Sequence, residues 1–254
     1  CFEAGRAFHA LPLEKKLLLR QDRNSIGYMA MAQSFIKSDE IHTTRHPNQN
    51  ASFFIGHDRP DDHPDVVGHV RLRGKNQWPT DLPGFRETTV RYLKALEQVA
   101  AKLVPAFAMA LGLDRHFFDE AFANEPYIEQ RLLYSPPQLD VSDEKSSIAP
   151  HTDMSFITLL AREQKEKPGL SVRLKTGEWF RAPIIESTFL VNLGDERHKV
   201  DDLLGAQDLL AMLGAKMLGD TTRIGRLVVR ALGKPDGEGL NWLAALTPHQ
   251  CDNP

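Results

Sequence analysis

Hydrophobic and polar positions divide the chain into three textures. Residues 1–20 (CFEAGRAFHALPLEKKLLLR) predict a helix, a break at Pro12 and a second short helix. Residues 21–85 show no sustained period. They are rich in His, Pro, Asp and Asn, with turn signals at residues 58–64 (DRPDDHP) and at Trp78-Pro79, and are expected to be irregular. From 86 to 112, apolar residues Val90, Leu93, Leu96, Val99, Leu103, Phe107 and Ala110 recur at spacings of three and four. That pattern predicts a long amphipathic helix, kinked or split at Pro105 and stopped at Gly112.

After Pro126 the period shortens. Strand-like runs are Tyr127–Tyr134, Ser155–Ala161, Leu170–Leu174, Glu178–Ala182 and Phe189–Leu193, separated by Pro- and Gly-rich turns. Several short strands at this spacing predict a sandwich or barrel. Phe156, Leu159, Val172, Trp179, Phe189 and Val191 are its expected core, and Phe53, Phe54 and Trp78 are expected to pack. The pattern turns helical again from Asp201 (DDLLGAQDLLAMLGAKMLG), and the tail after Gly233 reads as loop. The expectation is one domain over 1–254: mainly helical over 1–125, a β core over 126–200, and a helical or irregular part over 201–254.

Composition narrows the function classes. The 254 residues carry a net charge of −3, with 41% hydrophobic and 26% charged residues, as in an ordinary globular protein. The balance excludes a basic nucleic-acid footprint over the whole chain and gives no reason to expect a membrane partner. Two cysteines, Cys1 and Cys251, exclude a disulfide scaffold and a Cys-rich zinc site. A reducing, cytoplasmic setting is the default. The chain opens Cys1-Phe2-Glu3-Ala4 without methionine or a signal-peptide pattern, so an N-terminal segment is expected to be missing.

His151-Thr152-Asp153 is the sharpest chemical feature. On a strand, residues i and i+2 share a face, so imidazole and carboxylate would reach one point. A histidine from another strand would complete a two-histidine, one-carboxylate face. Such a face leaves adjacent positions open, as ferrous iron requires for a co-substrate and dioxygen. The bare motif is weak, since His-x-Asp arises about once by chance in a chain of this composition. A second copy, His63-Pro64-Asp65, lies in a turn-rich stretch and is expected to be a surface loop.

The surrounding motifs are far more specific. FHALPLEKK (8–16), Gly27-Tyr28, ASFFIGHDRP (51–60), KNQWP (75–79), LPGFRETTVRYL (82–93), RLLYSPPQ (131–138), HTDMSFITLL (151–160), GLSVRLKTGEWFRAP (169–183) and FLVNLGD (189–195) occur in order. Together they resemble the isopenicillin-N-synthase-like family of iron(II)- and 2-oxoglutarate-dependent dioxygenases. The resemblance implies a double-stranded β-helix, or jelly roll, with flanking helices. It implies iron(II) as metal, 2-oxoglutarate and O2 as co-substrates, and oxidation of an unactivated C–H bond of a small molecule. Hydroxylation, desaturation or ring closure would follow, with release of succinate and CO2. His151 and Asp153 match the family's first two iron ligands. His198, in Arg197-His198-Lys199-Val200, matches the third, with His249 the only later alternative. Asn192 and Asp195 match the family's Asn-x-Gly-Asp, with a strand-end hydrogen bond and a turn as their expected roles.

The chain departs from the family pattern at three places. Only Glu196 and Arg197 separate Asp195 from His198, where the family has a longer loop, so a segment is expected to be absent around 195–201. No serine follows Ser187, so the Arg-x-Ser pair that grips 2-oxoglutarate is not present; Arg223, Arg226 and Arg230 are the remaining downstream arginines. Ser135 stands where the family often has a co-substrate tyrosine, with Tyr134 one position earlier on what would be the opposite strand face. Arg131, Tyr134 and Ser135 are the candidate co-substrate contacts, and Arg131 serves equally well as a structural ion-pair partner. Two other readings stay open: an oxidase of the same fold that does not use 2-oxoglutarate, and a non-catalytic jelly roll that binds a small ligand.

Overall fold

The computed structural model describes residues 1–33, 47–110, 112–123, 125–136, 148–151, 153, 155–163, 169–174 and 176–193. His198, His249, Asp195, Arg223, Arg226, Arg230, Cys251 and the helical pattern from Asp201 lie outside them. The chain divides into two compact units. The first comprises Cys1–Glu97 and Asn124–His151, the second Gln98–Ala123 and Thr152–Pro254.

The first unit is built on a three-stranded antiparallel sheet in the order β1 (Gly27–Met29), β2 (Ala51–Ile55), β3 (Gln130–Tyr134). The register sets Tyr28 against Phe53 and Phe53 against Leu132. These residues share one sheet face and meet Phe8 of helix α1 (Phe2–Ala10) and Phe85 at the start of helix α4 (Phe85–Ala110). Phe8 and Phe53 are fully buried, with ring centroids 4.2 Å apart. As expected, Pro12 ends the first helical stretch; it occupies the N-cap of α2 (Leu13–Leu17).

The region expected to be irregular contains β1 and β2. Ala51-Ser52-Phe53-Phe54-Ile55 is buried at every position. A five-residue run with both faces covered has no alternation to reveal it. Gly27 takes φ +114°, and a Cβ there would lie 2.5 Å from the Leu19 carbonyl oxygen. Only glycine fits. The KNQWP motif is a set of clamps. Asn76 Oδ1 accepts from the Gly56 amide (2.8 Å) and its Nδ2 donates to the Gly56 carbonyl (2.9 Å). Gln77 Nε2 donates to the Arg20 and Ile26 carbonyls (3.0 and 2.8 Å). Trp78 packs against the same core beside Phe85, and packing is the role expected of it and of Phe53.

Helix α4 runs unbroken through Pro105, so the expected split does not occur. The proline costs one backbone hydrogen bond, and the apolar residues around it outweigh that loss: Val104 and Phe107 are buried in the second unit. The helix ends as Gly112 predicts. Gly112 has φ +73°, its amide donates to Met109, and the Leu113 amide donates to Ala108, which is a Schellman closure. Val104, Ala108 and Phe118, beside helix α5 (Asp119–Phe122), form a second core with Phe156 and Ile157 packed against it.

The described strands of the second unit are two antiparallel pairs: β4 (Ile157–Ala161) with β7 (Phe189–Leu193), and β5 (Ser171–Arg173) with β6 (Trp179–Arg181). All four fall within runs that the sequence marked. Trp179, expected in the core, is instead 51% exposed, because β6 turns its ends outward.

Candidate functional site

His151 and Asp153 precede β4 and lie in no regular strand. The shared strand face expected of them therefore does not apply; Ile157 is the first residue to pair, against Leu193. Each side chain is fixed locally instead. His151 Nδ1 lies 2.8 Å from the Ala149 carbonyl oxygen. A carbonyl only accepts, so Nδ1 carries the proton; in the neutral ring Nε2 is then the nitrogen with the lone pair. Asp153 Oδ2 accepts from Thr158 Oγ1 and from Asn192 Nδ2, both at 2.8 Å. Thr158 and Asn192 face each other across the β4–β7 pair, so one register position aims two donors at one oxygen.

Asn192 thus does more than make the strand-end hydrogen bond expected of it. Thr158 went unmarked in the sequence, because a threonine in a strand carries no signal until its cross-strand partner is known. An imidazole held in the Nδ1–H form and an ordered carboxylate are ligands that ferrous iron accepts. The donor chemistry fits that metal.

Arg131 sits on β3 opposite Phe54. Its guanidinium lies 5.3 Å from the Phe54 ring centroid. Nε donates to Ser52 Oγ (2.8 Å) and Nη2 to Asn50 Oδ1 (3.1 Å). Asn50 and Ser52 are fully buried. Arg131, Phe54 and Ser52 therefore form a polar face of the first sheet, behind the apolar face that carries Phe53. Tyr134 is three residues on and points to the other side, where its ring stacks on His9 at 5.2 Å. Arg131 and Tyr134 are not brought together. Ser135 follows the strand and is exposed.

His63-Pro64-Asp65 opens a short helix, α3 (Pro64–Val67), rather than a surface loop. His63 Nδ1 caps it by accepting from the Asp65 amide at 3.2 Å. Donor atoms of His63, Asp65 and Glu125 lie within 4.8 Å of one another. Two arginines already serve these carboxylates. Arg59, whose side chain is 4% exposed, binds Glu125 at 2.7 Å, and Arg73 binds Asp65 at 3.1 Å. Burial pushes the Glu125 carboxyl up, but the Arg59 hydrogen bond and charge, with His57 and His63, outweigh it and hold the group below its ordinary value. This is an ion-pair cluster that ties residues 57–73 to the segment before β3.

A 2OG-Fe(II) oxygenase family protein from Caulobacter crescentus matches with a TM-score of 0.60 and 25% identity, over 76% of this chain and 59% of that one. A full-length Neurospora crassa protein, solved in complex with alpha-KG and thymine, matches at 0.61 and 27% identity, over 76% and 59%. The fold is the jelly roll of these oxygenases.

The 2OG-Fe(II) oxygenase superfamily model matches residues 129–202. The non-haem dioxygenase N-terminal model, named for morphine synthesis, matches residues 1–81. The chain belongs to the iron(II)/2-oxoglutarate oxygenase family. Among curated relatives, the 2-oxoglutarate-Fe(II) type oxidoreductase hxnY of Emericella nidulans is 32% identical over 76% of this chain and 55% of its own length. Validamycin A dioxygenase of Streptomyces hygroscopicus subsp. limoneus is 33% identical over 78% and 54%. Clavatol oxidase claD of Penicillium crustosum is 32% identical over 76% and 61%. The chain spans a little over half the length of these relatives. Their names favour neither a non-catalytic jelly roll nor an oxidase that dispenses with 2-oxoglutarate.

Proposed function

We propose that this chain carries out iron(II)- and 2-oxoglutarate-dependent oxidation of an unactivated C–H bond in a small molecule. Bound iron(II), with 2-oxoglutarate and O2, supplies the oxidising power, and succinate and CO2 leave. His151 and Asp153 are two of the metal ligands, and His198 is the third. The observation that carries this reading is the Asp153 carboxylate, held by Thr158 and Asn192 inside a chain of oxygenase sequence. Those two donors orient the carboxylate, which metal ligation requires.

The chain's own groups then divide the work. Asp153 and His151 hold the metal. Arg131, pressed on Phe54 and bonded to Asn50 and Ser52, offers a permanent positive charge to a carboxylate of co-substrate or substrate; Tyr134 ends its strand and Ser135 follows it. Hydroxylation, desaturation and ring closure are all within this chemistry. We read residues 1–254 as part of a single oxygenase domain acting in the cytoplasm. Among the described residues, no helix is long and apolar enough to cross a membrane.

The test is anaerobic addition of iron(II) and 2-oxoglutarate. A weak visible charge-transfer band is expected in the wild-type chain and not in Asp153→Ala. Succinate release coupled to substrate loss is expected under air. A band of equal strength in Asp153→Ala would remove Asp153 from the ligand set.

A further inference from the structure

Asn48 stands just before β2 and is 4% exposed, and it lies about a hundred residues from His151 in sequence. Its Oδ1 accepts the backbone amide of Ala149 at 2.9 Å, and Ala149 is 2% exposed. The carbonyl of the same Ala149 accepts from His151 Nδ1 at 2.8 Å. The two polar groups of one alanine are thus divided between two side chains. Pro150 follows, and it restricts Ala149 to extended backbone. With the amide gripped and the backbone restricted, the direction of the Ala149 carbonyl is fixed, and with it the imidazole. Asn48 is itself anchored, since its carbonyl accepts the Ala32 amide at 3.1 Å.

We infer that Asn48 is a positioning residue for His151: through Ala149 it locks the imidazole in the Nδ1–H tautomer and points Nε2 as the ligating nitrogen. The metal role of His151 rests on the function proposed above, whereas the lock on the ring is a property of the metal-free chain. The contact that orients a ligating histidine governs metal affinity by about 10–100-fold. Asn48 reaches His151 through the main chain of Ala149, a link that no ligand-like spacing in the sequence announces.

The first experiment is 15N NMR of histidine-labelled, metal-free chain, with the His151 ring assigned by its disappearance in His151→Gln. The wild type is expected to show Nδ1–H and unprotonated Nε2. Asn48→Ala is expected to move the ring toward a mixture of tautomers, and Asn48→Asp, which keeps an acceptor oxygen, is expected to restore the wild-type pattern. An Nε2–H ring in the wild type, or an unchanged ring in Asn48→Ala, overturns the inference whatever the metal does.

The second experiment is anaerobic iron(II) titration, where Asn48→Ala is expected to bind about 10–100-fold more weakly. Affinity within about twofold of wild type overturns the relay. If His151→Gln binds iron(II) as well as wild type, the metal reading has failed, and the tautomer result alone decides the role of Asn48. Should Asn48→Ala not fold, hydrogen exchange of the Ala149 amide in the wild type replaces it. Linkage requires iron(II) to slow that exchange at least about tenfold; an unchanged rate overturns the inference.

Discussion

The two units hold their candidate ligands by different means. In the first, β2 is buried at every position, and aromatic side chains from α1, β1, β2 and α4 close on one face of its sheet. There His151 is held by a main-chain carbonyl. In the second, β4 is half-buried throughout, and β5 and β6 alternate exposed and half-buried residues. There Asp153 is held by two side chains, Thr158 and Asn192. A backbone contact survives most substitutions at the residue that makes it, but a side-chain contact does not. The difference teaches that stability should be most sensitive in the first unit, and that the carboxylate is oriented directly by two side chains whereas the imidazole is oriented through main chain that a side chain, Asn48, grips.

The largest effect should come from the first core. Phe53→Ala empties a fully buried site between Phe8, Tyr28 and Phe85, and should cost about 3–5 kcal/mol in denaturant unfolding. Trp179→Ala, on an exposed strand of the second unit, should cost under ~1 kcal/mol. Equal losses would abolish the contrast. Next, Asn192→Ala or Thr158→Val should weaken iron(II) binding about 10–100-fold in calorimetric titration, with unfolding shifted by much less. Unchanged affinity in both would mean that neither donor orients the carboxylate.

Gly27→Ala should follow, at about 1–3 kcal/mol, from its φ of +114° and the clash with the Leu19 carbonyl. A neutral result would show that β1 can shift without harm to the sheet.

A smaller effect is expected from pH. Burial lowers the His9 pKa below 6.5; the bond to the Leu132 carbonyl opposes this, and the charge of Lys16 adds to it. The folded chain then binds fewer protons than the unfolded chain once the pH falls below about 6.5. Stability should therefore decline on acidification through that range and level off below the folded pKa. The His9→Gln variant should lose that component of the slope. Least of all, Lys75→Ala, which breaks an exposed 2.6 Å pair with Asp61, should change stability by under ~1 kcal/mol.

Much of the fold was legible in order and type. The helical break at Pro12, the long helix and its glycine stop, and the strands β3 to β7 all follow from period and punctuation. β1 and β2 were hidden, because a three-residue strand and a wholly buried five-residue strand carry no alternation. Pro105, expected to kink or split the long helix, does not split it: the apolar packing of Val104 and Phe107 carries the helix through the missing hydrogen bond. At the site, His151 and Asp153 were legible as residue types at a telling spacing, yet they lie outside any strand and do not take the strand geometry that spacing predicts. The turn-rich setting of His63-Pro64-Asp65 predicts a loop, but His63 caps a helix within an arginine-bound cluster. His198 falls outside the described residues, so its part stays with the proposal.

By itself the sequence determined the family and the presence of an imidazole and a carboxylate two positions apart, because these depend on residue types and spacings a few positions apart. The tertiary structure alone decided how those residues are held. Asn48 and Ala149 are about a hundred residues apart, and Asp153 and Asn192 nearly forty. Hydrogen bonds between such distant positions exist only after strand register and loop paths have been fixed by burial of the apolar core, and no local pattern in the chain encodes them.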